Sequence, residues 1–84
     1  MNNIEIATFR GMDFSGYAFP LITVYLSPED FPGKYVARLF DLDKPTPYCV
    51  WKWSLRQLED CIPAQMVFME RQEEDHDSIL GVYL

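Results

Sequence analysis

Residues 34–53 contain two runs in which side chains alternate between the two sides of an extended chain, KYVARLFD (34–41) and YCVWKW (48–53). A period of two is the spacing of a β-strand. The segment DLDKPTP between the runs is rich in turn residues, and we expect Pro45 and Pro47 to end regular pairing there. The pattern therefore predicts an antiparallel hairpin.

A short helix is predicted directly after this hairpin. Ser54 and Gln57 have the spacing of a capping box, and Pro63 ends the helix after about two turns. A helix of this length is marginal alone, so we expect its apolar stripe to pack on the sheet. The stripe consists of Leu55, Leu58, Cys61 and Ile62.

Four further runs have strand character, and irregular or turn-rich segments separate them. The runs are IEIATF (4–9), LITVYL (21–26), MVFM (66–69) and SILGVYL (78–84), the last with Gly81 as a candidate bulge. The chain is long enough for one domain, residues 1–84. We expect a two-layer α+β domain, with one short helix packed on one face of an antiparallel sheet of four to six strands.

The formal net charge of −6 is concentrated in one part of the chain. Residues 1–56 carry six basic and six acidic side chains, so the whole excess of acid lies in residues 57–77. Phosphate groups are bound by positive surfaces. Nucleic acid and anionic membranes are therefore not expected as partners.

The apolar stretches are far shorter than the ~20 residues of a membrane-spanning helix. The first ten residues, MNNIEIATFR, lack the pattern of a secretory signal. We therefore expect a cytoplasmic protein in which Cys49 and Cys61 are reduced, with Cys49 acting as a small buried apolar residue.

No pattern in the sequence indicates catalysis. There is one histidine, His76, and there is no P-loop, GxGxxG or CxxC motif. The acidic run ERQEEDHD (70–77) lacks the glycine of a calcium loop, and a solvated loop explains it better than a metal site. We therefore expect no enzyme activity, no cofactor and no bound metal.

Aromatic side chains suggest a surface for protein partners. Several of them are predicted to share a sheet face, where core packing and an exposed binding patch are both open explanations. Trp, Tyr and Arg are typical of binding hot spots. The candidate residues are Trp51, Trp53, Tyr25, Tyr35 and Arg38, together with the acidic Glu70, Glu73, Glu74 and Asp75; Tyr83 is predicted to lie on the same face.

Two functions follow from these features. The first is a small acidic, non-enzymatic protein-interaction module whose partner is unidentified. The alternative is an antitoxin- or inhibitor-like protein whose acidic segment, residues 57–77, covers a basic site on its partner.

A homodimer is also expected. The terminal run SILGVYL (78–84) carries no charged side chain and so lacks the usual protection of an edge strand. Pairing of two copies through an edge strand, or through the face that carries the tryptophans, would add stability to a small core.

The stretch KYVARLFDLDKPTPYCVWKWSLRQLEDCIP, continued to SILGVYL, resembles small bacterial proteins that share a YVARLFD…PTPY pattern followed by a short leucine-containing helix ending in Ile-Pro. The resemblance covers about two thirds of the chain. It implies a fold more than an activity. The order strand, turn, strand, short helix is also similar, more distantly, to the sheet-and-helix domain of HicB-type antitoxins.

Overall fold

The computed structural model describes residues 3–73 and 77–84, which form a six-stranded sheet and one short helix. The elements in chain order are β1 (Ile4–Glu5), β2 (Pro20–Leu26), β3 (Tyr35–Asp41), β4 (Lys44–Lys52), α1 (Leu55–Glu59), β5 (Phe68–Glu70) and β6 (Ile79–Tyr83). The predicted α+β class is confirmed.

The strands lie side by side in the order β1-β4-β3-β2-β6-β5. Neighbours are antiparallel except for β1 and β4, which run parallel with Ile4 opposite Tyr48. The sheet is therefore mixed, and the prediction of a purely antiparallel sheet is wrong at this edge. Alternation of side chains identifies a strand but does not fix its direction, so the sequence pattern could not distinguish the two cases.

The β3–β4 hairpin is present, but its turn is tighter than predicted. Asp41 lies opposite Lys44, and β4 includes both Pro45 and Pro47. β1 pairs only with Tyr48 and Cys49, so the proline-containing part of β4 is an edge, where a missing N–H is tolerated. Pro45 lies opposite Phe40, so the prediction that Pro45 ends the pairing is wrong. Pro47 lies in the register shift between Arg38 and Phe40, so regular pairing with β3 is interrupted there, as predicted.

One face of the sheet carries the main core. Leu58 of α1 is buried in the same cluster as Ile22 of β2 and Leu39 of β3, and Phe9 completes it from the N-terminal segment. The N-cap is as predicted, since Ser54 Oγ accepts a hydrogen bond of 3.2 Å from the backbone N–H of Gln57. However, α1 has five residues, about one and a half turns, and Leu58 is the residue of its predicted apolar stripe that is buried within the helix. Cys61 and Ile62 follow α1 and are buried, whereas Leu55 is exposed.

A loop covers part of the opposite face. Phe31 packs against Val36 and Cys49, with Tyr25 and Trp51 partly buried around them. The backbone N–H of Ser27 donates to the carbonyl of Lys34 at 2.8 Å, and the N–H of Gly33 donates to Ser27 Oγ at 2.9 Å.

β6 lies inside the sheet, between β2 and β5. The prediction that the terminal strand is an open edge is therefore wrong, because its hydrogen-bonding groups face strands on both sides. The edges of the described sheet are β1 and β5. The predicted irregularity near Gly81 is present: Val24 lies opposite Gly81 but Tyr25 lies opposite Ile79, which leaves Leu80 as the extra residue.

Candidate protein-interaction surface

Trp51 and Trp53 lie next to each other where β4 ends, near the edge of the sheet that β1 forms. Their ring centroids are 5.3 Å apart and the rings are nearly perpendicular, with an interplanar angle of 81°. Such an edge-to-face arrangement is favourable for aromatic pairs. Trp51 is half-buried, whereas Trp53 is 65% exposed. The structure thus holds one tryptophan in place and uses it to support a second that faces solvent.

Lys34 joins this pair from the loop that precedes β3. Its Nζ lies 4.0 Å from the centroid of the Trp51 ring and 5.2 Å from that of Trp53. A cation over an indole face is attracted by the ring quadrupole, by about 0.5–1 kcal/mol at exposed positions. Lys34 therefore restrains both rings and places a positive charge at the rim of the aromatic surface.

The β1 edge contributes a carboxylate to the same corner. Trp51 Nε1 donates a hydrogen bond of 2.7 Å to Glu5 Oε1, which fixes the indole and attaches it to β1. An open cleft of about 350 Å³ lies between β1, the end of β4 and the start of α1. Among the described residues, it is lined by Glu5, Ile6, Trp51, Lys52, Trp53 and Gln57. We name these six residues together with Lys34 the tryptophan corner.

The chemistry of the tryptophan corner suits binding. Its described residues supply two indole rings, one carboxylate, one amide and two ammonium groups, those of Lys34 and Lys52, and no serine, cysteine or histidine. The indoles offer apolar area with few rotatable bonds, and Glu5 and Gln57 offer hydrogen bonds. Within the described part of the chain, no three metal-ligating side chains come together.

Arg38 lies beside the tryptophan corner on the loop-covered face. Its guanidinium forms an ion pair with Asp30, and its Nη1 donates a 3.0 Å hydrogen bond to Asn3 Oδ1. It also lies 5.7 Å from the centroid of the Phe31 ring. These contacts attach the loop and the N-terminal segment to β3, so Arg38 has a structural role in the free protein.

The predicted aromatic face is divided between the two sides of the sheet. Tyr25 lies opposite Val36, which lies opposite Trp51, so these residues share a face. Tyr35 and Tyr83 pack against the main core on the other face. The prediction of one shared face is therefore wrong. Burial raises the pKa of Tyr25 above its ordinary value, so its hydroxyl is neutral at physiological pH.

The acidic candidates lie at the other edge of the sheet. Glu70 ends β5 and Glu73 follows it, and both are exposed. Glu74, Asp75 and His76 fall outside the described residues. The structure therefore does not bring the described acidic candidates together with the tryptophans.

Both cysteines are buried free thiols. Burial raises the pKa of the Cys49 thiol, and the nearby Arg38 charge opposes that rise only in part. Cys61 Sγ lies 3.5 Å from the carbonyl oxygens of Ala7 and Gln57, to which its thiol is placed to donate. The described environment of Cys49 therefore disfavours the reactive thiolate.

Comparison of the chain with protein-family models, curated proteins and solved structures gives no match in any of the three. The resemblances to the YVARLFD…PTPY proteins and to HicB-type antitoxins therefore stay predictions. In residues 3–73 and 77–84, no helix has the length and apolar character needed to cross a membrane.

Proposed function

We propose that this protein is a non-enzymatic protein-interaction module, and that the tryptophan corner is its contact surface. The observation that carries the proposal is the exposure of Trp53, 65%, on a side chain held by Trp51 and Lys34. Tryptophan, like tyrosine and arginine, is enriched in binding hot spots.

The tryptophan corner is ordered before any partner arrives. The Glu5 hydrogen bond fixes Trp51, and Trp51 in turn supports Trp53. Ordering a flexible side chain on binding costs about 0.5–1.5 kcal/mol, so a pre-ordered pair retains more of its contact energy. The partner we propose places an apolar side chain against Trp53 and a hydrogen-bond donor near Glu5.

The acidic surface supports a second candidate function, that of an antitoxin- or inhibitor-like protein that covers a basic site. Glu59, Asp60, Glu70 and Glu73 are exposed. Arg71 of the same region is already paired with Asp77 at 3.3 Å, so it neutralises one acidic group and leaves the others available. The two candidates share a cytoplasmic location in our proposal, which the buried free thiols Cys49 and Cys61 support.

Site-specific photo-crosslinking tests the primary candidate. A photoreactive amino acid at Gln57, in the cleft, is compared with the same amino acid at Asp43, in the exposed β3–β4 turn. Both are placed in the unchanged chain and in Trp53→Ala. We expect one protein to be crosslinked from position 57 and not from position 43.

Removal of a central tryptophan costs at least about 2 kcal/mol of binding, which is about thirtyfold in affinity. Trp53→Ala should therefore reduce the crosslink strongly while leaving the thermal melt of the free protein almost unchanged. Equal crosslinking from both positions, or crosslinking that Trp53→Ala does not reduce, would contradict the proposal. Capture of a basic enzyme that the protein inhibits, insensitive to Trp53→Ala, would favour the second candidate.

A further inference from the structure

Among the described residues, no strand pairs with the outer edge of β5, so this edge is open for hydrogen bonding. Val67 and Leu84 exchange two backbone hydrogen bonds of 2.9 Å, and the N–H of Arg71 donates to the carbonyl of Leu80 at 3.2 Å. The paired stretch is therefore longer than β5 itself and runs from Val67 to Arg71.

The alternation of hydrogen bonds between β5 and β6 determines which backbone groups of β5 point away from the sheet. In an antiparallel pair, every second residue turns its N–H and C=O toward the neighbouring strand. Since Val67 and Arg71 turn theirs toward β6, Phe68 and Glu70 turn theirs away from it. The carbonyl of Glu70 accepts a 3.1 Å bond from Gln72 Nε2 and has a second lone pair to offer.

Apolar side chains flank these outward groups. Val67 and Met69 project from one face of the sheet and are 63% and 49% exposed. Phe68 projects from the other face, where it packs on Tyr83 with 5.0 Å between ring centroids and remains 41% exposed. Protected edge strands usually carry a lysine, a proline or a bulge, and Phe68–Glu70 carries none of the three.

The charge beside this edge selects the partner. Glu70 and Glu73 are exposed at the end where β5 stops, whereas Arg71 is engaged with Asp77. A second copy of this chain, with net charge −6, would bring more acid to the edge. A basic segment would instead complement it.

We propose that the β5 edge binds an extended segment of a basic protein by strand addition. The segment pairs with the outward groups of Phe68 and Glu70, and its apolar side chains lie on Val67 and Met69. Lysine or arginine side chains at one end lie near Glu70 and Glu73. This surface is at the opposite edge of the sheet from the tryptophan corner, so the inference does not depend on the primary function proposed above; it deepens the second candidate, whose acidic surface also includes Glu70 and Glu73.

A synthetic peptide tests the proposal with the full chain. The probe has two lysines followed by alternating valine and threonine. The control peptides are the same sequence with glutamates in place of the lysines and two N-methylated forms of the probe, methylated on the odd or on the even residues. Binding is measured by fluorescence anisotropy, and the contacted residues are identified from backbone amide NMR shifts. We expect the lysine peptide to shift the amides of Phe68 and Glu70.

The affinities of the four peptides should differ by amounts set by charge and hydrogen bonding. Exposed ion pairs contribute about 0.2–1 kcal/mol each, so loss of the two lysines should make the glutamate peptide bind about twofold to thirtyfold more weakly. Loss of two or three backbone hydrogen bonds should weaken binding of the N-methylated form whose methyl groups face β5 by about tenfold or more. Equal binding of the unmethylated probe and of both N-methylated forms would overturn strand addition.

Charge reversal supplies the matched variants. Glu70→Lys should reverse the preference between the lysine and glutamate peptides, and Glu59→Lys on α1, which makes the same change of net charge, should leave it intact. Equal effects of the two variants would show only general electrostatics and would overturn the proposal. The proposal would also be overturned if the lysine peptide failed to bind. It would be overturned as well if light scattering showed the free protein to be a dimer and the amides of Phe68 and Glu70 were protected in it.

Discussion

Gly81→Ala should destabilise the fold because β5 crosses the position of the missing side chain. A Cβ at Gly81 would lie 2.5 Å from the backbone oxygen of Met69 and 2.6 Å from Cε1 of Phe68. The backbone of Gly81 is not in the left-handed region, so alanine is penalised through these contacts alone. The phenyl ring and the β5 backbone must both move outward.

Overpacking of this kind costs about 1–3 kcal/mol. Alanine recovers about 0.5–1 kcal/mol of that cost because it restricts the unfolded chain more than glycine does. We therefore expect Gly81→Ala to lower the free energy of unfolding by about 1–2 kcal/mol, measured by urea denaturation followed by far-UV circular dichroism.

Two comparisons isolate the cause. A Cβ at Gly16 would meet no heavy atom of the described residues within 4 Å, so Gly16→Ala should leave stability unchanged or slightly raised. In a Phe68→Ala background the ring is absent and, of the three atoms nearest to the Gly81 Cβ, the Met69 oxygen alone remains, so Gly81→Ala should cost less there. The reasoning would be refuted by a Gly81→Ala protein as stable as its parent. An undiminished cost in the Phe68→Ala background would show that the ring is not an obstacle.

Three further predictions concern the core, a turn and alkaline pH. Leu58→Ala removes a buried side chain from the main core and should cost about 2–4 kcal/mol in the same denaturation assay, whereas a parental urea curve would mean that α1 does not pack through Leu58. Leu42 has φ 58° in the β3–β4 turn, so Leu42→Gly should relieve about 1–2 kcal/mol of backbone strain. Glycine also gives the unfolded chain more conformational freedom, which costs about 0.5–1 kcal/mol of stability. The melting temperature should therefore rise, and a lower melting temperature would contradict this. Burial raises the folded-state pKa of the Cys49 thiol above the ordinary 9.0, so the contribution of Cys49 to stability is present below pH 9 and is lost as pH rises through the folded-state pKa. The free energy of unfolding should therefore decline less between about pH 8 and 10.5 in Cys49→Ala than in the parent. An equal decline in the two proteins would refute the assignment.

The sequence predicted those parts of the fold that depend on local spacing. Alternation identified the β3–β4 hairpin, and the Ser54 hydroxyl identified the start of α1. Alternation could not give the direction of β1, because parallel and antiparallel strands have the same alternation of side chains. It also could not place β6 inside the sheet, because strand order depends on contacts between strands that are far apart in sequence.

The candidate surface was predicted in composition but not in arrangement. Trp51 and Trp53 do lie together, since residues two apart on an extended strand share a face. Tyr35 could not be separated from them without the cross-strand register. Lys34 and Glu5 were missed because a cation over a ring and a carboxylate on an indole N–H join residues far apart in sequence, and no local pattern indicates such contacts.

The strand order has a consequence for the time course of folding. β2, β3 and β4 are consecutive in sequence and adjacent in the sheet, whereas β1 and β6 add to them from opposite ends of the chain. Closing a long loop costs more entropy than closing a tight turn, so the three-stranded meander should form first and the outer strands should attach later. We therefore expect amide hydrogens in β3 to exchange with solvent last, while those of β1 and β5 exchange early through openings that leave the meander intact.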